Sequence, residues 1–111
     1  MKFIQNITAD GSYPICQIDR RRSDSNNWQA TVFMTGTFGG GTCTIELSPD
    51  QGTTLIPAKD WIGNAIDATS NAVFTTQPVG NGNHLEDFVT LYAVMSGSTS
   101  PSMNVTVFDN R

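Results

Sequence analysis

The stretch WQATVFMTGTFGGGTCTIELS, residues 28–48, decides the fold, because apolar and polar side chains alternate along both of its halves. In the first half every second residue is apolar: Trp28, Ala30, Val32 and Met34. The second half repeats this period of two with Cys43, Ile45 and Leu47. Such alternation is typical of β-strands with one buried face. Three glycines at 39–41 permit the positive φ angles of a chain reversal, so the sequence predicts two strands joined as a β-hairpin.

Apolar runs of strand length recur along the chain, at 2–7, 12–19, 71–78, 87–97 and 103–109. Residues rich in Gly, Pro, Asn and Asp separate these runs, and no segment has the periodicity of a helix. The run at 87–97 is apolar on both faces, which indicates a central strand. The sequence therefore predicts an all-β protein, an antiparallel β-sandwich of about seven or eight short strands with a jelly-roll or immunoglobulin-like topology.

Length and composition support the same class. The chain has 111 residues, which fits a single β-sandwich domain over 1–111, with residues 1–11 as an N-terminal arm or an edge strand. Only 14% of the residues are charged, and fourteen threonines are present. A low charge content with many β-branched and turn-forming residues is typical of β proteins with tight turns.

Charge and hydropathy restrict the partners. The net charge of −4 disfavours nucleic acid as a partner. No apolar run approaches the ~20 residues that a membrane helix requires, so we expect no membrane partner. The N-terminal residues lack the apolar core of a signal peptide, which predicts synthesis in the cytoplasm. In that reducing compartment Cys16 and Cys43 are expected to be buried thiols, with a disulfide between them as the alternative.

Few residues in the sequence suggest catalysis or metal binding. His84 is the single histidine, and Glu86 and Asp87 follow it. A dedicated metal site needs three or four converging ligands, and adjacent carboxylates on a strand point to opposite faces. No Gly-x-Ser-x-Gly occurs, and no Gly-Lys-Ser/Thr follows the glycines at 39–41. We therefore expect a protein that is not an enzyme and has no catalytic residue, cofactor or metal.

The stretch SPDQGTTL, residues 48–55, spaces four turn-forming residues two apart: Ser48, Asp50, Gly52 and Thr54. An aspartate carboxylate can accept hydrogen bonds from backbone N–H groups two residues further on, and Gly52 can adopt a left-handed conformation. The hydroxyls of Ser48 and Thr54 can bond across the ends of such a turn. The sequence predicts a structural turn that holds residues 42–48 against residues 53–59.

The same stretch resembles the Asp-box hairpin of sialidase-like propellers, Ser-x-Asp-x-Gly-x-Thr-Trp, with Leu55 in place of the tryptophan. A propeller needs several blades of about four strands each. This chain has one copy of the motif, which excludes a sialidase.

A second resemblance is carried by GTFGGGTCTIELSPDQGTT (36–54) and LYAVMSGSTSPSMNVTVF (91–108). These segments, which lie within roughly two thirds of the chain, resemble small β-sandwich virion proteins of tailed bacteriophages, of the capsid decoration or cement type. The chain departs from that family at Gln51, where Gly is usual, and at Leu55, where Trp is usual. The resemblance implies a structural protein on the capsid surface of a virion. Its implied partners are the major capsid protein and further copies of the chain, with a trimer favoured.

Two segments form a candidate partner interface. Consecutive arginines offer bidentate hydrogen bonds to an acidic surface, and an early edge strand can add to the sheet of a neighbour. The residues are Lys2, Phe3, Ile4, Arg20, Arg21 and Arg22.

Two other functions compete with capsid decoration. One is a carbohydrate-binding or host-recognition module that uses the loop at 79–87, where Asn81, Asn83 and His84 offer hydrogen bonds. Four aromatic side chains could add a sugar-stacking platform: Tyr13, Trp28, Trp61 and Tyr92. Of these, Trp28 and Tyr92 are expected to be buried, and Trp61 is expected in the core or at its rim. The other function is a tail or baseplate component of the virion.

Overall fold

The computed structural model describes residues 1–18, 27–80 and 89–110. Every regular element in these ranges is a β-strand, and two antiparallel sheets pack against each other. The predicted all-β sandwich is confirmed. In chain order the strands are β1 (Lys2–Ile7), β2 (Gly11–Ile18), β3 (Asn27–Trp28), β4 (Ala30–Thr37), β5 (Thr42–Ser48), β6 (Ile56–Pro57), β7 (Asp67–Ala68), β8 (Ala72–Thr75), β9 (Val79–Gly80), β10 (Val89–Ser96) and β11 (Ser102–Asp109).

Strand order divides the chain between the two sheets. The four-stranded sheet, called sheet A, has the order β1-β11-β4-β8. The five-stranded sheet, called sheet B, has the order β2-β10-β5-β6, and β7 also pairs with β5. The two-residue strands β3 and β9 pair with each other. Residues 2–7 therefore lie at one edge of sheet A, as β1.

Consecutive strands mostly cross between the sheets. Directly consecutive strands lie in different sheets at four points: between β1 and β2, between β4 and β5, between β7 and β8, and between β10 and β11. The hairpin predicted between β4 and β5 is therefore wrong. Both strands bury one face, but they do so from opposite sides of the same core, and alternation looks identical in either arrangement. The resulting strand order is that of a jelly roll, one of the two topologies that the sequence left open.

The inward residues of both sheets form one core. Sheet A contributes alternate residues of its two central strands: Ala30, Val32, Met34, Met103, Val105 and Val107. Sheet B contributes Cys43, Ile45, Leu91, Ala93 and Met95. The predicted alternation of both halves of residues 28–48 is thus confirmed. Cys16 and Cys43 are both buried thiols, and burial raises the pKa of the Cys43 thiol to about 11.

The glycine loop between β4 and β5 packs directly on the loop between β10 and β11. Gly39 and Gly40 have φ values of 62° and 79°. A Cβ on Gly39 would collide with the carbonyl oxygen of Thr99, whose backbone N–H donates a 2.9 Å hydrogen bond to the Gly39 carbonyl. A Cβ on Gly41 would lie 2.7 Å from the Ser96 carbonyl oxygen. Close approach of two backbones is therefore what requires glycine at 39 and 41.

Candidate functional site

The predicted turn residues lie together in the loop between β5 and β6. The Ser48 hydroxyl accepts hydrogen bonds from the N–H groups of Gly52 (2.7 Å) and Asp50 (3.3 Å) and donates to Asp50 Oδ1 (2.8 Å). Asp50 Oδ1 also accepts from the Thr54 N–H at 2.7 Å. Hydrogen bonds from Thr54, and to a smaller extent from Ser48, lower the pKa of the Asp50 carboxyl. Each of these groups is engaged within the turn, which aligns β5 with β6.

The turn also covers part of the outer face of sheet B. Gln51 and Gly52 both have positive φ, 60° and 97°. A Cβ on Gly52 would lie 2.8 Å from the Tyr92 hydroxyl oxygen, so the turn backbone rests on the Tyr92 ring. Tyr92 is consequently 8% exposed although it points away from the core.

The aromatic side chains considered as a sugar platform are dispersed. Trp28 is buried, and its Nε1 donates a 3.0 Å hydrogen bond to Asp109 Oδ2. The Tyr13 hydroxyl donates to the Ala9 carbonyl at 2.7 Å, and its ring packs against the core. Trp61, which was expected in the core or at its rim, is exposed instead.

Trp61 and Ile62 form the tip of a second tight turn, which we call the Trp61–Ile62 tip. Asp60 Oδ1 accepts hydrogen bonds from the N–H groups of Ile62 (3.1 Å) and Asn64 (2.8 Å). The Asp60 N–H donates to the Asn64 carbonyl at 2.8 Å, and Gly63 has φ 96°. The Trp61 N–H donates to the Thr75 carbonyl at 3.0 Å, which joins the turn to the end of β8.

The Trp61–Ile62 tip is unusual for its apolar exposure. The side chain of Trp61 is 69% exposed and that of Ile62 is 61% exposed. Sequence reasoning placed Trp61 in the core or at its rim and missed this turn. A signal was present, since Asp60 and Asn64 are spaced like Asp50 and Thr54, with a glycine between them.

A second exposed apolar surface lies on the outer face of sheet A. We call its four residues the outer apolar patch: Ile4, Phe33, Val73 and Phe108. Phe33 lies directly opposite Val73 on the neighbouring strand. The Phe33 and Phe108 rings meet edge to face, with centroids 5.8 Å apart and planes at 84°. Ile4 and Phe33 both lie opposite Thr106, on either side of β11.

The structure unites part of the predicted partner interface with this patch. Lys2 Nζ lies 5.7 Å from the Phe108 ring centroid, and Ile4 belongs to the patch itself. Phe3 points to the other face of β1 and packs against the core. The arginines of the prediction, Arg20, Arg21 and Arg22, lie outside the described residues. Sequence reasoning missed Phe33, although it interrupts a row of outward threonines on β4.

Several other candidates also fall outside the described residues: Asn81, Asn83, His84, Glu86 and Asp87. Within the described ranges no group of three or more His, Cys, Asp or Glu side chains is placed to hold a metal ion. The same ranges contain no helix that is long and apolar enough to span a membrane.

The chain is thus a jelly-roll β-sandwich that carries two exposed apolar surfaces, one on a turn and one on a sheet. Comparison with protein-family models, with curated proteins and with solved structures found no match to it.

Proposed function

We propose that this chain is a non-enzymatic structural virion protein, a decoration or cement protein that binds the outer surface of a phage capsid lattice. Its partner is the major capsid protein, and a homo-oligomer, with a trimer favoured, belongs to the same proposal. The observation that carries the docking role is the Trp61–Ile62 tip. A rigid turn that presents a tryptophan to solvent provides the kind of anchor on which protein interfaces depend.

The tip is held in place before any partner binds. Three hydrogen bonds link Asp60 to Ile62 and Asn64, and a fourth links Trp61 to Thr75. Binding therefore orders little of the backbone, which reduces the entropic cost. Transfer of the indole into an apolar pocket contributes about 3.5 kcal/mol, because 69% of an aromatic side chain of roughly 200 Å² is exposed and each Å² is worth about 25 cal/mol. A single contact of this kind is weak. When copies of the chain are linked in an oligomer, several contacts to the repeating capsid lattice form together and the overall affinity rises.

The resemblance supports the virion assignment within this fold. Its two segments, 36–54 and 91–108, contain β5, most of β10 and β11, and the last two residues of β4, and these four are the central strands of the two sheets. Jelly rolls occur in viral capsid proteins and in lectins. Because one fold hosts many functions, this is an analogy, and the docking site has to be tested directly.

The decisive experiment counts copies of the chain on purified particles of the virus that encodes it. We expect copies on the order of hundreds per particle, which are released without loss of the capsid lattice. Trp61→Ala lowers the occupancy at least tenfold, whereas the control Ile56→Ala, at another exposed apolar residue outside the tip, leaves it unchanged. A few copies per particle indicate a tail or baseplate component instead, and full occupancy by the Trp61 variant rules out the tip as the anchor.

The exposed indole of Trp61 also favours a carbohydrate-binding or host-recognition module as a second candidate, since aromatic faces stack on sugar rings. A glycan array tests this function. A specific glycan that binds the wild type, binds Trp61→Phe more weakly and does not bind Trp61→Ala supports it. Absence of glycan binding by the wild type, or full binding by Trp61→Ala, excludes a sugar site at this residue.

A further inference from the structure

The outer face of sheet A is more apolar than the solvent-facing side of an antiparallel sheet normally is. Such a face usually carries polar residues, with the apolar residues turned toward the core. Here four large apolar side chains cluster at one end of the face as the outer apolar patch, and together they expose on the order of 400 Å². Patches of this size on monomers frequently mark interaction sites.

The same face is almost free of charge. The remaining outward residues of its four strands, all of which the structure describes, are polar but mostly uncharged: Lys2, Asn6, Thr31, Thr35, Thr37, Thr75, Ser102, Asn104 and Thr106. Lys2 is the one charged side chain among them, and it lies over the Phe108 ring. The outer side of sheet B, by contrast, carries Glu46 and Asp50.

The lack of carboxylates on this face favours one kind of partner, a second copy of the same acidic chain. Two copies of a chain with a net charge of −4 repel each other wherever carboxylates meet. An approach through sheet A brings no carboxylate of its four strands into the contact. We infer that the outer face of sheet A is a self-association surface, which packs against the same face of a second copy of this chain.

The shape of this surface is compatible with packing against the same face of a second copy. Thr106 lies between Ile4 and Phe33 across the strands, so a small side chain separates two large ones. A large side chain of the second copy fits above such a position when two sheets pack about 10 Å apart. A twofold axis through the face then pairs patch with patch, as an isologous interface requires. The outward threonines and asparagines form its polar rim.

The size of the face sets the strength of the contact. Four strands about 4.8 Å apart, with up to eight residues at about 3.4 Å each, give a face of roughly 20 by 25 Å. A standard interface buries about 800 Å² on each partner. The flat area of sheet A, about 500 Å², lies below that class, so we expect a weak dimer that dissociates in the micromolar range.

Analytical ultracentrifugation of the full chain over a concentration series tests the inference. The wild type changes from monomer to dimer as its concentration rises. Ile4→Asp, which places a carboxylate in each copy of the patch, weakens the dimer at least tenfold. Ile62→Asp is the matched control, since Ile62 is 61% exposed against 59% for Ile4, and it leaves the dimer unchanged. Circular dichroism verifies that both variants keep their strand content.

A measurement on the wild type alone avoids dependence on the folding of any variant. On dilution, NMR amide shifts should change on the four strands of sheet A and stay constant on β5 and β10. A trimer as the only oligomer contradicts the twofold pairing, because each contact in a threefold ring joins two different surfaces. A monomer at every concentration, or an oligomer that only Ile62→Asp dissociates, overturns the inference. Neither result depends on capsid binding, so this inference and the proposed function fail separately.

Discussion

At the scale of single residues, Ser48 is the centre of the turn between β5 and β6. Its hydroxyl is fully buried and bonds the Gly52 N–H, the Asp50 N–H and the Asp50 carboxylate. Ser48→Ala leaves these groups without that partner, so we expect a loss of about 1–3 kcal/mol in the free energy of unfolding. Urea denaturation measures it. The control Thr53→Ala, at an exposed position of the same turn, should change stability by less than ~0.5 kcal/mol, and equal losses in both variants contradict this assignment.

The predictability of individual residues depended on how local their interactions are. The turn at 48–54 was predictable because its hydrogen bonds join residues two and four apart in sequence. The exposure of Trp61 was not, since it depends on how the second turn is attached to Thr75. Tyr92 is buried, as expected, but its cover comes from Gly52, which is forty residues away in sequence. Sequence patterns report the face of a strand but not what another loop places over it.

At the scale of elements, the loop between β4 and β5 contains glycines that are needed for two different reasons: a positive φ angle and close contact with another backbone. Gly39 and Gly40 both have positive φ, but only a Cβ on Gly39 would meet another backbone, that of Thr99. Gly40→Ala should cost about 1–2 kcal/mol for the left-handed conformation alone. Gly39→Ala should cost at least ~2 kcal/mol more, because two loops must move apart. Thermal and urea unfolding of the pair measure the difference, and equal destabilisation would disprove the close packing of these loops.

Strand pairing marks the limit of prediction at this scale. The alternation of β4 and β5 correctly identified both strands and their buried residues. It could not assign them to different sheets, because a strand in a hairpin and a strand in a crossover have the same period of two. The crossings between the sheets follow from which inward faces share the core, and that is a property of the whole chain.

At the scale of the molecule, the two broad faces of the sandwich differ in their chemistry. Sheet B is covered in part by the turn at 48–54 and carries acidic groups. Sheet A presents the outer apolar patch beside uncharged polar residues. The sequence predicted Lys2 and Ile4 as interface residues, but not their union with Phe33, Val73 and Phe108, which come from three other strands. Only the strand order brings these residues onto one surface.

The stability of the whole molecule should decrease in acid through two carboxylates. Hydrogen bonds from Ser98 lower the pKa of Asp10, and hydrogen bonds from Thr54 and Ser48 lower that of Asp50. A carboxyl whose pKa is lowered by folding stabilises the folded state above its unfolded pKa, near 3.8. That contribution is lost as the pH falls through the lower folded value, because the unfolded state then binds more protons.

Unfolding free energies measured by urea from pH 7 to pH 2 test this dependence. The wild type should lose stability below about pH 4, whereas Asp10→Asn with Asp50→Asn should have a flatter profile in that range. Because neither substituted side chain titrates, the unfolding free energies of the wild type and the double variant should differ most at pH 7 and least at pH 2. Asp67→Asn, which removes an exposed carboxylate on β7, is the control and should retain the wild-type slope. Parallel profiles for the wild type and the double variant would show that the two hydrogen-bonded carboxylates do not link folding to pH.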